Sequence, residues 1–199
     1  PGQLNHIDIS VSYLEAGAAA LSVLVEPYYF KGSIEFIKDI RAIHPKAHIL
    51  LKDFVLSKKQ IAQGLISGAN AVLLIIAFLN NDLLKELYNY CLDFGVTPIV
   101  EVHNALELEQ ALQLEPDVIG INNRNLHTLE ISLDTARNLI RNIPNDCYAI
   151  CESGIDSYAQ IREMMDIGFD GFLIGSSLMK HQDPGVELQK LISEVCNER

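Results

Sequence analysis

The chain has 199 residues, of which 49% are hydrophobic and 21% charged, a composition typical of one globular domain. Its formal net charge of −11 argues against nucleic acid and an anionic membrane as partners. The longest apolar run, residues 71–79, is too short to cross a membrane, and no secretory leader is recognisable at the start of the sequence. We therefore expect a cytoplasmic protein with reduced, mostly buried cysteines.

A strand-and-helix unit recurs along the sequence. A predicted helix at about residues 7–16 comes first, and seven apolar runs follow it, of the kind typical of parallel strands buried on both faces. They are residues 20–26, 47–52, 71–76, 97–101, 117–122, 147–152 and 171–175. Their last residues are 21 to 30 positions apart, and the intervals hold predicted crossover helices, for example residues 33–43, 57–66, 81–94 and 132–141.

Local signals mark where several helices begin and end. Four glycines stand between a predicted helix and the strand that follows it, where a left-handed residue closes the helix: Gly17, Gly68, Gly95 and Gly168. The last helix is predicted to begin at Pro184, with Asp183 as its N-cap.

Alternating strands and helices indicate a parallel sheet of the α/β class, either doubly wound or closed as a (β/α)8 TIM barrel. Even spacing favours the barrel, as do polar strand ends, because these converge when the sheet closes into a ring. The polar ends are Glu26, Lys52, Glu101, Asn122 and Glu152. Because a helix comes first, the seven visible strand–helix units lack the first barrel strand. We expect residues 1–199 to form a single, incomplete TIM-barrel domain.

The polar strand ends are candidates for acid–base chemistry. Lys52 could donate a proton or hold an anion, although it could also be a surface lysine. Glu101 ends a buried strand, so we expect a raised pKa that suits a general base, unless it caps the next helix. His103 is predicted to be structural or exposed. Asn122 and Arg124 lie in a polar stretch that could orient a substrate or form a turn.

Glycines lie at or just after the ends of the last two predicted strands, at Gly154 and at Gly175-Ser176. Glycine lets backbone N–H groups approach a phosphate, and barrels commonly bind phosphate at these two positions. An aromatic loop that includes Phe30 follows the first visible strand. This loop could cover an aromatic substrate or pack against a neighbouring helix, whereas Leu73 is expected to be core.

Seven short motifs, taken together and in order, resemble the indole-3-glycerol-phosphate synthase family of the tryptophan pathway. They are residues 17–24, 29–33, 51–54, 101–103, 121–126, 152–155 and 175–179. The resemblance implies a carboxy-lyase that needs neither cofactor nor metal. Its substrate would be 1-(2-carboxyphenylamino)-1-deoxyribulose 5-phosphate. The enzyme would close the indole ring of this substrate and release carbon dioxide and water, which gives indole-3-glycerol phosphate.

The same resemblance assigns roles to individual residues. Lys52 would be the general acid at the ribulose carbonyl and Glu101 the base in the dehydration, while Asn122 and Glu152 would help hold the substrate and its intermediates. Substrate contacts are expected from Phe30, Phe54, Leu73, Arg124, Leu126, Ser153 and Ile155, with Phe54, Leu73, Leu126 and Ile155 against the anthranilate ring. Phosphate contacts are expected from Gly154, Gly175 and Ser176.

The family's leading helix and first strand, which carry a second catalytic lysine and part of the phosphate site, have no counterpart here, since the match starts just after them at Pro1. Two alternatives therefore stay open. The chain could be an inactive or partner-dependent fragment that binds a phosphosugar without turnover, or a phosphoribosylanthranilate isomerase-like barrel enzyme. Association could occur through open strand edges, or with a fused or separate isomerase domain.

Overall fold

A computed structural model describes residues 5–197 of the chain and the side chains of residues 5–195. The predicted boundary at Pro1 and the side chain of Cys196 lie outside this part. Seven parallel strands form one sheet whose spatial order is the chain order. They are β1 (Leu21–Leu24), β2 (Ile49–Lys52), β3 (Ala71–Ile75), β4 (Thr97–Val102), β5 (Val118–Asn122), β6 (Tyr148–Glu152) and β7 (Gly171–Leu173).

Eight α-helices surround the described sheet. They are α1 (His6–Glu15), α2 (Ile34–Ile43), α3 (Lys58–Ser67), α4 (Asn81–Asp93), α5 (Ala105–Leu112), α6 (Asp134–Leu139), α7 (Tyr158–Asp166) and α8 (Pro184–Asn197). Short 3-10 turns follow β3, α6 and β7, at Ile76–Phe78, Ile140–Asn142 and Leu178–Lys180. The α/β class, the opening helix and the seven strand–helix units are confirmed.

The helical layer closes on itself. Helix α1 packs against both α2 and α8, whereas β1 and β7 each pair with a single neighbour among the described strands. The result is a nearly closed TIM barrel. Within residues 5–197, no helix is long and apolar enough to cross a membrane.

The predicted helix ends are largely confirmed. Gly17, Gly68, Gly95 and Gly168 have φ angles from 69° to 115°, in the left-handed region that ends a helix without strain only at glycine. Asp183 accepts the N–H of Val186 at 3.1 Å and so caps α8.

Helix α6 is shorter than the predicted 132–141. The chain tightens into a 3-10 turn after Leu139 and becomes extended at Ile143, with ψ at 128°. Ile143 precedes Pro144, and a residue before proline is disfavoured in the helical region.

Two apolar clusters lie on opposite faces of the sheet. The larger one fills the space between the strands and the helices. The smaller one lies inside the barrel and contains Leu50, Leu73, Ile75 and Ile99, with Val118, Ile150 and Leu173 packed against it. Because side chains two positions apart on a strand share a face, the residues that follow this inner cluster on β2, β4, β5 and β6 also point inward. They are Lys52, Glu101, Asn122 and Glu152.

Candidate active site

Three charged side chains meet inside the barrel at the carboxyl ends of alternate strands. Lys52 on β2 donates from Nζ to Glu101 on β4 at 3.4 Å and to Glu152 on β6 at 3.2 Å. Alternate strands of a barrel contribute to the same layer of inward side chains, which explains why these three residues meet. Glu101 and Glu152 are each 1% exposed, whereas the side chain of Lys52 is 23% exposed. The ammonium therefore lies above two buried carboxyl groups and faces the mouth.

Asn122 joins this cluster from β5. Its Nδ2 donates to Oε1 of Glu101 at 3.0 Å, and its Oδ1 accepts the N–H of Arg124 at 3.0 Å. The register explains the contact, since Glu101 pairs with Gly120 and Asn122 pairs with Glu152 across neighbouring strands. The four residues predicted to be catalytic thus lie together.

His103 connects the cluster to helix α5. Its Nε2 lies 3.0 Å from Oε1 of Glu101, an ion-pair contact. Its Nδ1 lies 3.0 Å from Oε2 of Glu107, which also accepts the backbone N–H of His103 at 2.7 Å. The predicted alternative of an exposed His103 is wrong, because its side chain is only 9% exposed, whereas a structural role fits its contacts with Glu101 and Glu107.

The two buried carboxyl groups have different pKa values. Burial raises the pKa of Glu152, the charge of Glu101 raises it further, and Lys52 offsets part of the rise. Burial alone would also raise the pKa of Glu101, but the contacts with His103, Lys52 and Asn122 together outweigh it and hold that pKa below its usual range. The expected raised pKa of Glu101 is therefore wrong, and this property belongs to Glu152.

Both cations in the cluster hold their protons. Burial would lower the pKa of Lys52, but attraction by Glu152 and Glu101 outweighs this effect and raises it. Burial would likewise lower the pKa of His103, yet its contacts with Glu101 and Glu107 raise it to about 9. At neutral pH the cluster therefore contains two cations, the ionised Glu101 and Glu107, and a Glu152 that is easily protonated.

The imidazolium of His103 is expected to make stability depend on pH. A histidine whose pKa is raised on folding contributes stability in full below its unfolded pKa of about 6.5, and loses it as pH rises through about 9. The free energy of unfolding of wild type should exceed that of His103→Gln by about 2 kcal/mol near neutral pH, and by much less at about pH 10.

Urea denaturation of both proteins across this pH range measures that difference. The titration of Glu152 is common to both proteins and cancels. His127→Gln, at an exposed position, controls for the loss of an imidazole. A difference that stays constant with pH would contradict the pairing of His103 with Glu101 and Glu107.

Asn123 is a site residue that the sequence reasoning missed. It is 2% exposed, and its Nδ2 donates to the carbonyl oxygens of Glu152 and Ser153, each at 3.1 Å. Its Oδ1 accepts the N–H of Ala136 at the start of α6, at 3.0 Å. Asn123 thereby fixes the end of β6, and with it Glu152, to α6. Its position next to Asn122 was the one sequence signal that could have indicated Asn123. That signal is weak, because a pair of asparagines is also common in a turn.

Aromatic side chains form one wall of the mouth. The rings of Phe30 and Phe54 are 6.4 Å apart, and Phe54 meets Phe78 edge-on at 5.0 Å. Phe54 and Leu126 pack against the inner apolar cluster, in which Leu73 is fully buried. The structure thus brings together three of the four predicted ring contacts, Phe54, Leu73 and Leu126, with the predicted substrate contact Phe30, and adds Phe78. Ile155 lies apart from them, in the cluster between sheet and helices.

Two further residues lie away from the charged cluster. The carboxylate of Glu26 accepts the N–H groups of Tyr28, Tyr29 and Phe30 at 2.7 to 3.0 Å, so it holds the aromatic loop rather than converging with the other strand ends. The prediction of convergence is wrong for Glu26, because its side chain folds back onto the loop that follows β1. The guanidinium of Arg124 donates to the carbonyl of Leu129 at 3.3 Å.

The predicted phosphate residues lie in two adjacent loops after β6 and β7. Ser153 and Gly154 have φ angles of 63° and 84°, and an added Cβ on Gly154 would come within 2.7 Å of Ile131. Gly175 and Ser176 are exposed, and no heavy atom lies within 4 Å of a Cβ placed on Gly175. Ser177 donates to the carbonyl of Ile155 at 2.9 Å and joins the two loops.

The charged cluster suits proton transfer. Lysine, carboxyl and amide groups within hydrogen-bond distance can donate, accept and orient protons. No group of three or more His, Cys, Asp or Glu side chains within the described residues could hold a metal ion.

Solved structures with this fold include 3-hexulose-6-phosphate synthase from Salmonella typhimurium, with a TM-score of 0.75 and 13% identity over 98% of this chain and 96% of that one. Thiamine phosphate pyrophosphorylase from Pyrococcus furiosus has a TM-score of 0.71 and 19% identity over 95% and 90% of the two chains. At such identities the likeness concerns the fold alone. Fold and site together define a TIM-barrel protein with a cluster of lysine, carboxyl and amide groups at the carboxyl ends of its strands.

Sequence relatives identify the family within this class. The indole-3-glycerol phosphate synthase family model matches residues 2–191. A protein of that name from Albidiferax ferrireducens is 44% identical over 94% of this chain and 70% of its own length. Another from Sulfurimonas denitrificans is 40% identical over 93% and 70%. The chain belongs to the indole-3-glycerol phosphate synthase family, which confirms the predicted resemblance and does not favour the isomerase-like alternative.

Proposed function

We propose that this chain converts 1-(2-carboxyphenylamino)-1-deoxyribulose 5-phosphate into indole-3-glycerol phosphate, as a carboxy-lyase of tryptophan biosynthesis. The observation that supports this most directly is the partly exposed ammonium of Lys52 above the buried carboxyl groups of Glu101 and Glu152. An ammonium group has three donors, and two of them are used within the cluster. The third donor is available to a substrate oxygen at the mouth.

Lys52 serves as the general acid in ring closure. Its proton moves toward the ribulose carbonyl oxygen as the anthranilate ring carbon attacks the carbonyl carbon. Loss of carbon dioxide from the same ring carbon then restores aromaticity. Because its carboxylate neighbours keep Lys52 protonated, the acid is in its active form at neutral pH.

Glu101 serves as the base in the dehydration that follows. It removes a proton from the ring intermediate as the C–O bond to the hydroxyl group breaks, and the departing hydroxide takes up a proton from solvent to leave as water. Its lowered pKa keeps it ionised and ready to accept that proton. Asn122 orients Glu101 by donating to its Oε1, and Glu152 binds polar groups of the substrate and its intermediates.

The rest of the substrate lies along the mouth. The anthranilate ring packs against the wall formed by Phe30, Phe54 and Leu126, above Leu73. Ser153 and Arg124 contact the substrate beyond the ring, and Ile155 supports the adjoining loop. Backbone groups of Gly154, Gly175 and Ser176 bind the phosphate, which needs no charged side chain when several N–H groups converge. We further propose a cytoplasmic location and association either through the open strand edges or with a fused or separate isomerase domain.

The experiment that tests this function is turnover by the purified chain. The synthetic substrate is mixed with the protein, and the indole chromophore of the product is followed by absorbance. Binding is measured separately by calorimetry with a substrate analogue in which the ribulose carbonyl is reduced to an alcohol. Lys38→Ala, which removes an exposed lysine paired with Glu35 on α2, is the matched control and should keep wild-type activity.

Three outcomes are distinguishable. Indole formation with binding of the analogue supports the proposed reaction. Binding of the analogue without turnover would overturn it in favour of a phosphosugar-binding fragment. Conversion of phosphoribosylanthranilate without indole formation would overturn it in favour of an isomerase.

A further inference from the structure

We propose that Gly120 is a positioning residue of the active site, and that its missing Cβ leaves the space in which the carboxyl group of Glu152 lies. This inference rests on the proposed function, because it concerns how a residue of that site is held. Gly120 lies in the middle of β5 and faces the barrel interior, directly opposite Glu101 on β4 and Ile150 on β6.

The space beside Gly120 is already occupied. A Cβ added there would overlap Oε1 of Glu152 and would lie 3.2 Å from its Cδ. The next nearest atom, Cγ2 of Ile99, would be 3.6 Å away, an ordinary van der Waals distance. Glu152 is therefore the side chain that a larger residue at position 120 would displace.

The backbone does not explain this glycine. Gly120 is not among the residues with a positive φ, so its conformation is accessible to any L-amino acid. A glycine inside a strand weakens the strand and often marks a place where another group approaches closely. The group that approaches here is the buried carboxyl of Glu152.

The position of that carboxyl matters for the site. Glu152 extends from β6 across β5, and its Oε2 reaches Nζ of Lys52 on β2 at 3.2 Å. Its Oε1 is buried and has no hydrogen-bond partner among the described residues. A carboxyl group held over Gly120 therefore contacts Lys52 with Oε2, while its Oε1 fills the space beside Gly120.

The test is a double-mutant cycle between positions 120 and 152. Gly120→Ala should lower kcat/KM by about 100-fold, since a misplacement of about 1 Å can have this effect. In the Glu152→Ala background the same change should alter the residual kcat/KM by less than about 3-fold, because the space is then empty.

Gly171→Ala is the matched control. Gly171 is also an inward-facing strand glycine, but an added Cβ would meet only Ile150, at 3.8 Å. This variant should keep the kinetics of wild type. Equal losses from Gly120→Ala in both backgrounds would overturn the proposal and indicate that the glycine makes room for the substrate itself. No loss in the wild-type background would overturn it as well.

A second readout does not need turnover. Nuclear magnetic resonance of protein labelled with ¹³C at the glutamate carboxyl carbons follows the titration of Glu152, whose signal is identified by its absence in Glu152→Gln. In Gly120→Ala the carboxyl should move out from between Glu101 and Lys52 toward solvent, and its raised pKa should fall toward the ordinary value. A changed titration in an inactive wild type would support the role of Gly120 and refute the proposed function, whereas an unchanged titration would refute the role itself.

Discussion

Replacing Lys52 by alanine is expected to lower kcat by about 10³-fold, within the range for loss of a general acid. The variant loses the ammonium that contacts both Glu101 and Glu152. It also leaves two buried carboxyl groups without this cation, a change that can cost about 3–5 kcal/mol of stability. Steady-state kinetics with the ribulose substrate and urea denaturation measure the two effects.

The variant Lys52→Arg distinguishes the role of Lys52 as a proton donor from its role as a positive charge. Arginine keeps a cation beside the two carboxyl groups, so the variant should fold with nearly the stability of wild type. A guanidinium does not release its proton near neutral pH, so turnover should still fall by more than about 100-fold. Full activity in Lys52→Arg would show that the site needs a positive charge at this position and not a proton donor.

Glu101→Gln is expected to lower the rate of indole formation by about 10²- to 10⁴-fold, because the amide cannot accept the proton released in the dehydration. Decarboxylation precedes this step, so carbon dioxide should be released faster than indole appears. A single-turnover experiment that measures carbon dioxide and the indole chromophore on the same sample detects the accumulated intermediate.

The control for this variant is Glu35→Gln, which removes an exposed carboxylate on α2 and should leave both rates unchanged. Glu101→Asp keeps a carboxylate base but withdraws it from Asn122 and His103, so a partial loss in the rate of indole formation is expected. If carbon dioxide and indole were slowed equally in Glu101→Gln, Glu101 would act at or before ring closure and the assigned role would be wrong.

Much of the fold could be predicted from the sequence because its signals are local. Strands buried on both faces appear as continuous runs of Val, Ile and Leu, and glycines such as Gly68 mark the ends of helices. The boundaries were less predictable. Strand β7 ends at Leu173 rather than at residue 175, and α6 ends at Leu139, because hydrogen bonding between distant segments and the proline at 144 determine these limits.

The site could be predicted only in part. Lys52, Glu101, Asn122 and Glu152 were identifiable because each is a polar residue that closes an apolar strand. Which of the two glutamates has the raised pKa depends on His103, and the side chain of His103 is placed by Glu107 in the first turn of α5. The role proposed for Gly120 depends on the register of β5 with β6. Neither the position of the His103 side chain nor that of Gly120 beside Glu152 can be predicted from the sequence of a single strand, because each depends on contacts between different elements.

The order of the sheet has a consequence for the path of folding. Every strand pairs with strands that adjoin it in the chain, and successive strands end 20 to 30 residues apart. The loops closed by each pairing are short, so their entropic cost is small and a pair of units can form before later units are present. The acid–base centre is assembled differently, since Lys52 and Glu152 are separated by 100 residues. Successive strands can therefore pair while the chain is still being synthesised, whereas the charged cluster forms only after β6 has been synthesised.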